Sequence, residues 1–483
     1  MKIKYHCIYL SSFLILIGCG YRVEPSKYIP KDVSYVQIFD LIALQKYNLS
    51  FPIEKKIWNK NIPNEIQDYI IKNYKKAGIN TNFRAYRFGK ETTNPNDNYT
   101  AWIFHLSDEK LFDQFIRNIP KLSISVKSHI GMYYFEVNNM IVAWHNKIAW
   151  ILYTATPKSS TELRNYVLKL REMPSHKALK TKNIAFQELM KQKTQTSLWL
   201  NWEHQNDDLK DYIKEMTGFE LEKKEHYLTC NFQLDSLQNL SINTKIYPEI
   251  KSLSNFKSFF KDYYDKKLLA EIPNDSLAGV WNWSLKKQGW EELQKTWKSQ
   301  EWIKNLLTIE GMQYEKWFDI ITGDGILAQK SSNKDIEEIW GFKIKNKPLL
   351  EIALKQMTLQ KRIDKKNNNL FFWKEKKYFI FIKDKIVLIT PSQKIIKTLN
   401  KKSTITFTDK LPENVSMYGY FIPKASLLVS KNKKLSSWSK NKDIEWFILP
   451  IQNEILEIRQ NIKKASQQDF WEILTFYYDK KNK

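Results

Sequence analysis

The sequence predicts an α+β protein of two homologous, pseudo-symmetric lobes, each a mainly antiparallel sheet with packed helices. Three observations lead there. The stretch Tyr-Tyr-Asp-Lys-Lys occurs twice, at 263–267 and at 477–481. The segments upstream of the two copies answer one another in the same order. Each half also alternates between period-two runs, which suit half-buried strands, and stripes at i, i+3, i+4, i+7, which suit amphipathic helices.

Taken in order, Tyr28-Ile29-Pro30-Lys31-Asp32 and Glu271-Ile272-Pro273-Asn274-Asp275 place turn-forming proline and aspartate ahead of an opening strand. Helical stretches follow at 55–77 and 285–307. Residues 101–119 answer 339–357, with Trp102 against Trp340, where a strand pair with a short helix is expected. Residues 133–157 answer 370–391, with Lys147-Ile148 against Lys385-Ile386. These are alternating strands joined by tight turns such as Val137-Asn138-Asn139 and His145-Asn146-Lys147. Ala155-Thr156-Pro157-Lys158-Ser159-Ser160 and Thr390-Pro391-Ser392 then offer hydroxyl caps for a helix, and residues 197–203 answer 416–422 as a further strand. In the closing segments Phe256, Phe259, Phe260, Tyr263 and Tyr264 match Phe470, Ile473, Leu474, Tyr477 and Tyr478. Both sets fall on one helix stripe. Each Tyr-Tyr-Asp-Lys-Lys therefore reads as the end of a closing helix, its lysines favoured by the helix dipole, and not as a binding motif. The offset between matched segments drifts from 243 to 214, as expected when loops change length. The expected repeat lobes are 28–267 and 271–483.

At 483 residues, 42% hydrophobic and 14% aromatic, the chain has the length and composition for two or three domains with proper cores. A net charge of +25 suggests nucleic acid, but 69 of the 77 basic residues are lysines spread along the chain, and only eight are arginines. Nucleic-acid surfaces favour arginine and concentrate charge on one face. No nucleic-acid partner is expected. The lysines accompany many Asn, Ile, Phe and Tyr, a pattern of AT-rich codons, with some attraction to anionic surfaces besides. Tryptophan has no such codon bias, so the 17 tryptophans need a structural or binding reason.

Lys2 and Lys4 precede an apolar run at 7–17 that is too short to span a bilayer. It ends in Leu16-Ile17-Gly18-Cys19, which resembles the lipobox of bacterial lipoproteins. That resemblance implies that 1–18 are a lipoprotein signal peptide, that Cys19 is the lipid attachment site (palmitate among the acyl groups), and that 19–27 form a tether. Two or three acyl chains make a lasting membrane anchor. Cleavage would remove Lys2 and Lys4, leaving +25 − 2 = +23. Gly20, where an aspartate would signal inner-membrane retention, resembles outer-membrane sorting; a periplasm-facing position is the expectation, with surface exposure left open. Cys7 would leave with the leader and Cys19 carries lipid, so Cys230 has no partner for a disulfide and reads as a small buried residue. With Tyr28-Ile29-Pro30-Lys31-Asp32 and Thr322-Gly323-Asp324, the chain also resembles a family of Bacteroidota lipoproteins of unknown function. Its members open with Y-I-P-x-D and carry T-G-D midway. The resemblance covers most of the mature chain and brings no catalytic residue with it.

Chemistry-bearing patterns are sparse. The seven histidines form no H-E-x-x-H and no close pair, and no cysteine set accompanies them, so neither a metal nor a cofactor is expected. Glu203-His204 with Asp207 and Asp208 reads as a solvated loop. Cys230 and His226, four apart on a strand, are too distant for a dyad. Thr322-Gly323-Asp324-Gly325 lacks the length of a phosphate loop and reads as a tight turn between strands. The adjacent carboxylates Glu291-Glu292 and Glu337-Glu338 read as lysine-rich helical surface, unsuited to paired acid/base work. Trp281, Trp283, Trp290 and Trp297 are the remaining candidates. They read as a helix packed on a strand or as an aromatic surface for a glycan or protein ligand. The function expected is that of a lipid-anchored cell-envelope protein, a non-catalytic binder or scaffold, held to the membrane by its N-terminal lipid. The alternative is an envelope hydrolase with a degenerate site in the first lobe, where His105, His145 and His226 face Lys343, Asp384 and Trp446 of the second.

Overall fold

The computed structural model describes residues 24–478 apart from 48, 50–63, 120–123, 206, 208, 212, 214–225, 248–258, 273–276, 299–315, 332–335, 376, 400–416, 422–443 and 449–454. Residues 1–18, the expected leader, and Cys19 lie outside the described residues. The chain divides into two compact units, Met1–Lys193 and Thr194–Lys483.

In the first unit, β1 (Tyr35–Phe39), β2 (Ala85–Lys90), β3 (Tyr99–His105), β4 (Lys127–His129), β5 (Met132–Val137), β6 (Met140–His145) and β7 (Ile148–Thr154) are antiparallel throughout. Their order is β4-β5-β6-β7-β3-β2-β1. The turn Asn146-Lys147 has φ of 48° and 61°, the doubly left-handed geometry that a two-residue hairpin demands. Around this sheet lie α1 (Leu41–Lys46), α2 (Asn64–Lys72), α3 (Glu109–Arg117), α4 (Ser160–Arg171), α5 (Leu179–Lys182) and α6 (Ile184–Lys191). Helix α4 starts in a capping box: Ser159 Oγ accepts from the Glu162 amide and the Glu162 carboxylate accepts from the Ser159 amide. Strand β7 is buried at every position, and the core holds Trp102, Trp144 and Trp150. The alternation expected of half-buried strands gives way here because both faces are covered.

In the second unit, the strands are β8 (Thr196–Asn201), β9 (Tyr227–Leu234), β10 (Leu240–Tyr247), β11 (Leu277–Ser284), β12 (Ile321–Ser331), β13 (Ile336–Ile344), β14 (Ile363–Lys365), β15 (Leu370–Trp373), β16 (Tyr378–Lys383), β17 (Ile386–Thr390), β18 (Met417–Phe421), β19 (Ile444–Ile448) and β20 (Leu456–Ile462). Their antiparallel order is β14-β15-β16-β17-β13-β12-β11-β18-β19-β20-β10-β9-β8. The helices are α7 (Lys266–Ala270), α8 (Lys287–Lys298), α9 (Trp317–Ile320), α10 (Lys347–Leu359), α11 (Gln393–Leu399) and α12 (Gln467–Tyr478). One face of the sheet, with Val280, Ile326, Ile339 and Leu388, is sealed by Leu268 and Leu269 of α7 and by Ile395 and Ile396 of α11. The pairing of β10 with β20 explains why the unit boundary falls at 193/194 and not at the expected repeat junction: β8–β10 are hydrogen-bonded into the strands that end the chain.

Three local expectations are corrected. The second Tyr-Tyr-Asp-Lys-Lys begins on a closing helix as expected, for Tyr477 and Tyr478 end α12, but the first copy does not. Residue 259 is helical, and the chain then leaves the helix. Phe260 bridges Leu285, the Lys261 amide donates to Ser284 O (3.0 Å), and Asp265 caps the new helix α7 by accepting from the Lys267 amide. Thr322-Gly323-Asp324 is not a turn between strands but part of β12, with a register shift against β13 between Ile321 and Gly325. Glu337 and Glu338 lie on strand β13, not on a helix, so their side chains point to opposite faces.

Candidate functional site

The second unit gathers two of the segments that stood out in the sequence. Where the chain crosses β11 and β12 at 259–265, Lys261 Nζ donates to both carboxylate oxygens of Asp324, at 2.7 and 2.9 Å. Thr322 Oγ1 donates to the same carboxylate (3.1 Å) and accepts from the Asp324 amide (3.0 Å). Asp324 is buried. Beside it, Lys343 Nζ donates to Asp265 Oδ2 at 2.7 Å, and the Asp265 amide donates to Ser284 Oγ at 3.1 Å. Burial pushes the Asp265 carboxyl up, but the Lys343 hydrogen bond and the Lys267 amide outweigh it and hold the group below the usual range. The bond to Asp265 raises Lys343 in turn, with the Asp324 charge adding to it. Two carboxylates thus meet two ammonium groups. This cluster clamps the crossover and leaves no unpaired acid or base.

The opposite face of the same sheet carries the aromatic groups. Trp281 pairs with Leu327, Leu327 with Trp340, and Trp340 with Ile389. Directly opposed residues share a face, so the two indoles stand on one row about 10 Å apart, with Leu327 between them. Both are half-buried. In the next row Trp283 opposes Gly325, and its ring lies over the glycine so closely that an added Cβ would sit 2.3 Å from Cζ2. Phe342 meets that ring edge-on, with centroids 6.4 Å apart, and stacks on Trp340 at 6.5 Å. On the other side of Trp340, the Glu338 carboxylate accepts from the Trp340 indole (3.3 Å) and from the Gln329 amide (3.1 Å).

Of the predicted tryptophans, then, Trp281 belongs to this row. Trp283 and Trp290 are buried. Trp290, on α8, tilts against Phe318 at 6.0 Å with its Cβ facing Gly323. These two fit the reading of a helix packed on a strand. The side chain of Trp297 lies outside the described residues. Sequence reasoning missed Trp340, Gln329 and Glu338 as neighbours of Trp281. The alternation of Glu338, Trp340 and Phe342 carried the signal, but which strand lay beside them did not show.

The histidines are spent separately. His105 is buried and stacks flat on Phe83, with centroids 3.8 Å apart and planes within 4°. His145 Nδ1 is hydrogen-bonded to Gly131 O at 2.8 Å. Both flank Ile148, on β3 and β6, about 10 Å apart across β7. His226 is buried in the other unit, its carbonyl accepting the Trp202 amide. Cys230 is buried against the Thr244 hydroxyl, and burial drives its thiol pKa far up. Among the described residues no three His, Cys, Asp or Glu side chains gather as a metal site.

No protein-family profile matches the chain, and no curated protein does. Among solved structures, one described as crystal form I of TP0453 is 11% identical over 49% of this chain and 84% of that one, with a TM-score of 0.29. Crystal form III is 8% identical over 51% and 90%, again at 0.29. A likeness of that size carries no argument about fold or function.

Proposed function

We propose that the protein is a lipid-anchored, non-catalytic component of the cell envelope that holds a glycan or protein ligand on the Trp281–Trp340 face. The observation that carries the binding role is the pairing of two half-buried indoles with a fixed carboxylate on a rigid sheet, while the charged groups beneath are already paired. Flat apolar rings with one fixed polar group suit a ligand that offers a flat apolar face and a hydrogen-bond donor. The membrane address rests on Leu16-Ile17-Gly18-Cys19. Among the described residues no helix is long and apolar enough to cross a membrane.

We also infer that the two halves are pseudo-symmetric copies. The order β4-β5-β6-β7-β3-β2-β1 matches β14-β15-β16-β17-β13-β12-β11 strand for strand, and β8-β9-β10 matches β18-β19-β20. Helices α3 and α10 follow corresponding strands, as do α4 and α11.

Cys19→Ala tests the address. The expected result is loss of acyl label and release from the outer-membrane fraction; unchanged retention without label refutes it. Trp281→Ala with Trp340→Ala tests the face. The doubly substituted protein should lose whatever glycan or protein co-purifies with the native chain, and undiminished recovery overturns the assignment.

A further inference from the structure

Helix α10 turns Leu350, Ala353, Leu354 and Met357 into the core. Its opposite side is not the polar face that a helix of this kind should show. Ile352 and Leu359, seven residues apart and therefore on one line, are 53% and 73% exposed. Exposed lysines lie along this segment: Lys355 beside that line, Lys347 at the start of the helix, Lys345 before it and Lys361 after it, none in an ion pair among the described residues. Glu351 is the one acidic residue of the helix. The core side chains fix the helix, so this face is formed before any partner arrives.

We propose that the outer face of α10 rests on a bilayer surface rich in anionic headgroups, with Ile352 and Leu359 entering the headgroup–acyl boundary and the four lysines meeting lipid phosphates. The inference rests on the membrane address proposed above and names the surface this face adopts there. The charge pattern selects the occupant. A second copy seated on the same face would bring lysines against lysines, whereas anionic lipid satisfies both the apolar line and its basic border. Each lysine near such a surface is worth about a fivefold gain in affinity, and the long lysine stems can lie along the boundary while their heads stay hydrated.

The test is hydroxyl-radical footprinting of the full purified chain in vesicles of phosphatidylcholine alone and of phosphatidylcholine with phosphatidylglycerol. Labelling of Ile352 and Leu359 should fall several-fold in the anionic vesicles only, and return with added salt or in the Lys347→Gln, Lys355→Gln variant. These lysines are exposed, so folding is not at stake. Equal labelling in both vesicles overturns the proposal. So does protection without vesicles that grows with protein concentration, which would put a second copy on the face. Acyl content is read on the same sample. An unacylated chain that still shows charge-dependent protection refutes the anchor and leaves this inference standing. Acylated chain with no such protection does the reverse.

Discussion

The Lys261–Asp324 pair makes an asymmetric prediction. The Asp324 carboxylate is 4% exposed, whereas the Lys261 side chain is 29% exposed. Lys261→Met strands a buried carboxylate whose nearest remaining donor is the Thr322 hydroxyl. Breaking a buried pair from one side costs about 3–5 kcal/mol, mostly as the penalty on the charge left behind. Asp324→Asn keeps the shape, and the Lys261 ammonium, nearly a third exposed already, can turn to water, so the cost falls to about 1–2 kcal/mol. Removing the cation should therefore cost roughly 2 kcal/mol more than removing the anion. The doubly substituted Lys261→Met, Asp324→Asn protein, with no charge to strand, should recover most of that difference. Urea unfolding of all four proteins, followed by tryptophan fluorescence, measures the cycle. Equal costs for the two single variants, or additive costs in the double, would show that Asp324 is not held in the desolvated setting described.

Glycine 289 lies in α8, where alanine would ordinarily raise helix stability by about 1 kcal/mol. An added Cβ would sit 2.4 Å from Phe259 O, so Gly289→Ala should lower the melting temperature; a rise would refute the close crossing. Ile130 holds φ of 50° at an exposed hairpin tip, a conformation that burdens a β-branched residue. Ile130→Asn should raise stability by about 1 kcal/mol in the same unfolding assay, and a loss would mean the tip is not strained. The Asp265–Lys343 pair fixes a pH dependence. A carboxyl held below its unfolded value contributes stability that is present above about pH 4 and lost as acid titrates the folded group, while a raised lysine loses its share only above about pH 10. Asp265→Asn should flatten the acid limb of the stability profile and leave the neutral plateau lower, read by urea midpoints across pH.

What the sequence revealed was local. The hydroxyls of Ser159 and Ser160 announce a helix cap, His145-Asn146-Lys147 a tight turn, and Phe470 to Tyr478 a helix stripe, because each signal lies within a few residues of its effect. The first Tyr-Tyr-Asp-Lys-Lys misled because its fate is set far away. Asp324 is 63 residues from Lys261, and Lys343 is 78 from Asp265. A stripe with the right period still leaves the helix when the strands beneath offer hydrogen bonds and charges that pin an extended crossing. The candidate site shows the same limit. That tryptophans cluster is written in the chain, but Trp283 folds over Gly325 and is lost to the core, while Trp281 gains Trp340 from a strand 59 residues away through the register of β11, β12 and β13.

The proposed duplication also accounts for the contact that no single lobe could have made. The last matched segments run at an offset of 214, and adding 214 to Thr244 gives Ile458. These two residues face each other where β10 pairs with β20. Going outward from them, Ile242 opposes Gln460 and Ile246 opposes Leu456, and each of the four is the offset partner of another: 242 of 456 and 246 of 460. Equivalent positions meeting antiparallel about a shared centre is the pattern of a two-fold contact between identical surfaces. An isolated lobe would leave β10 as a bare edge, eight residues long and buried at alternate positions, which is a template for uncontrolled pairing. Joining a second copy in the same chain covers that edge with its own counterpart. The repeat junction and the compact-unit boundary then differ for one physical reason: the strands that close the first copy are held by those that close the second.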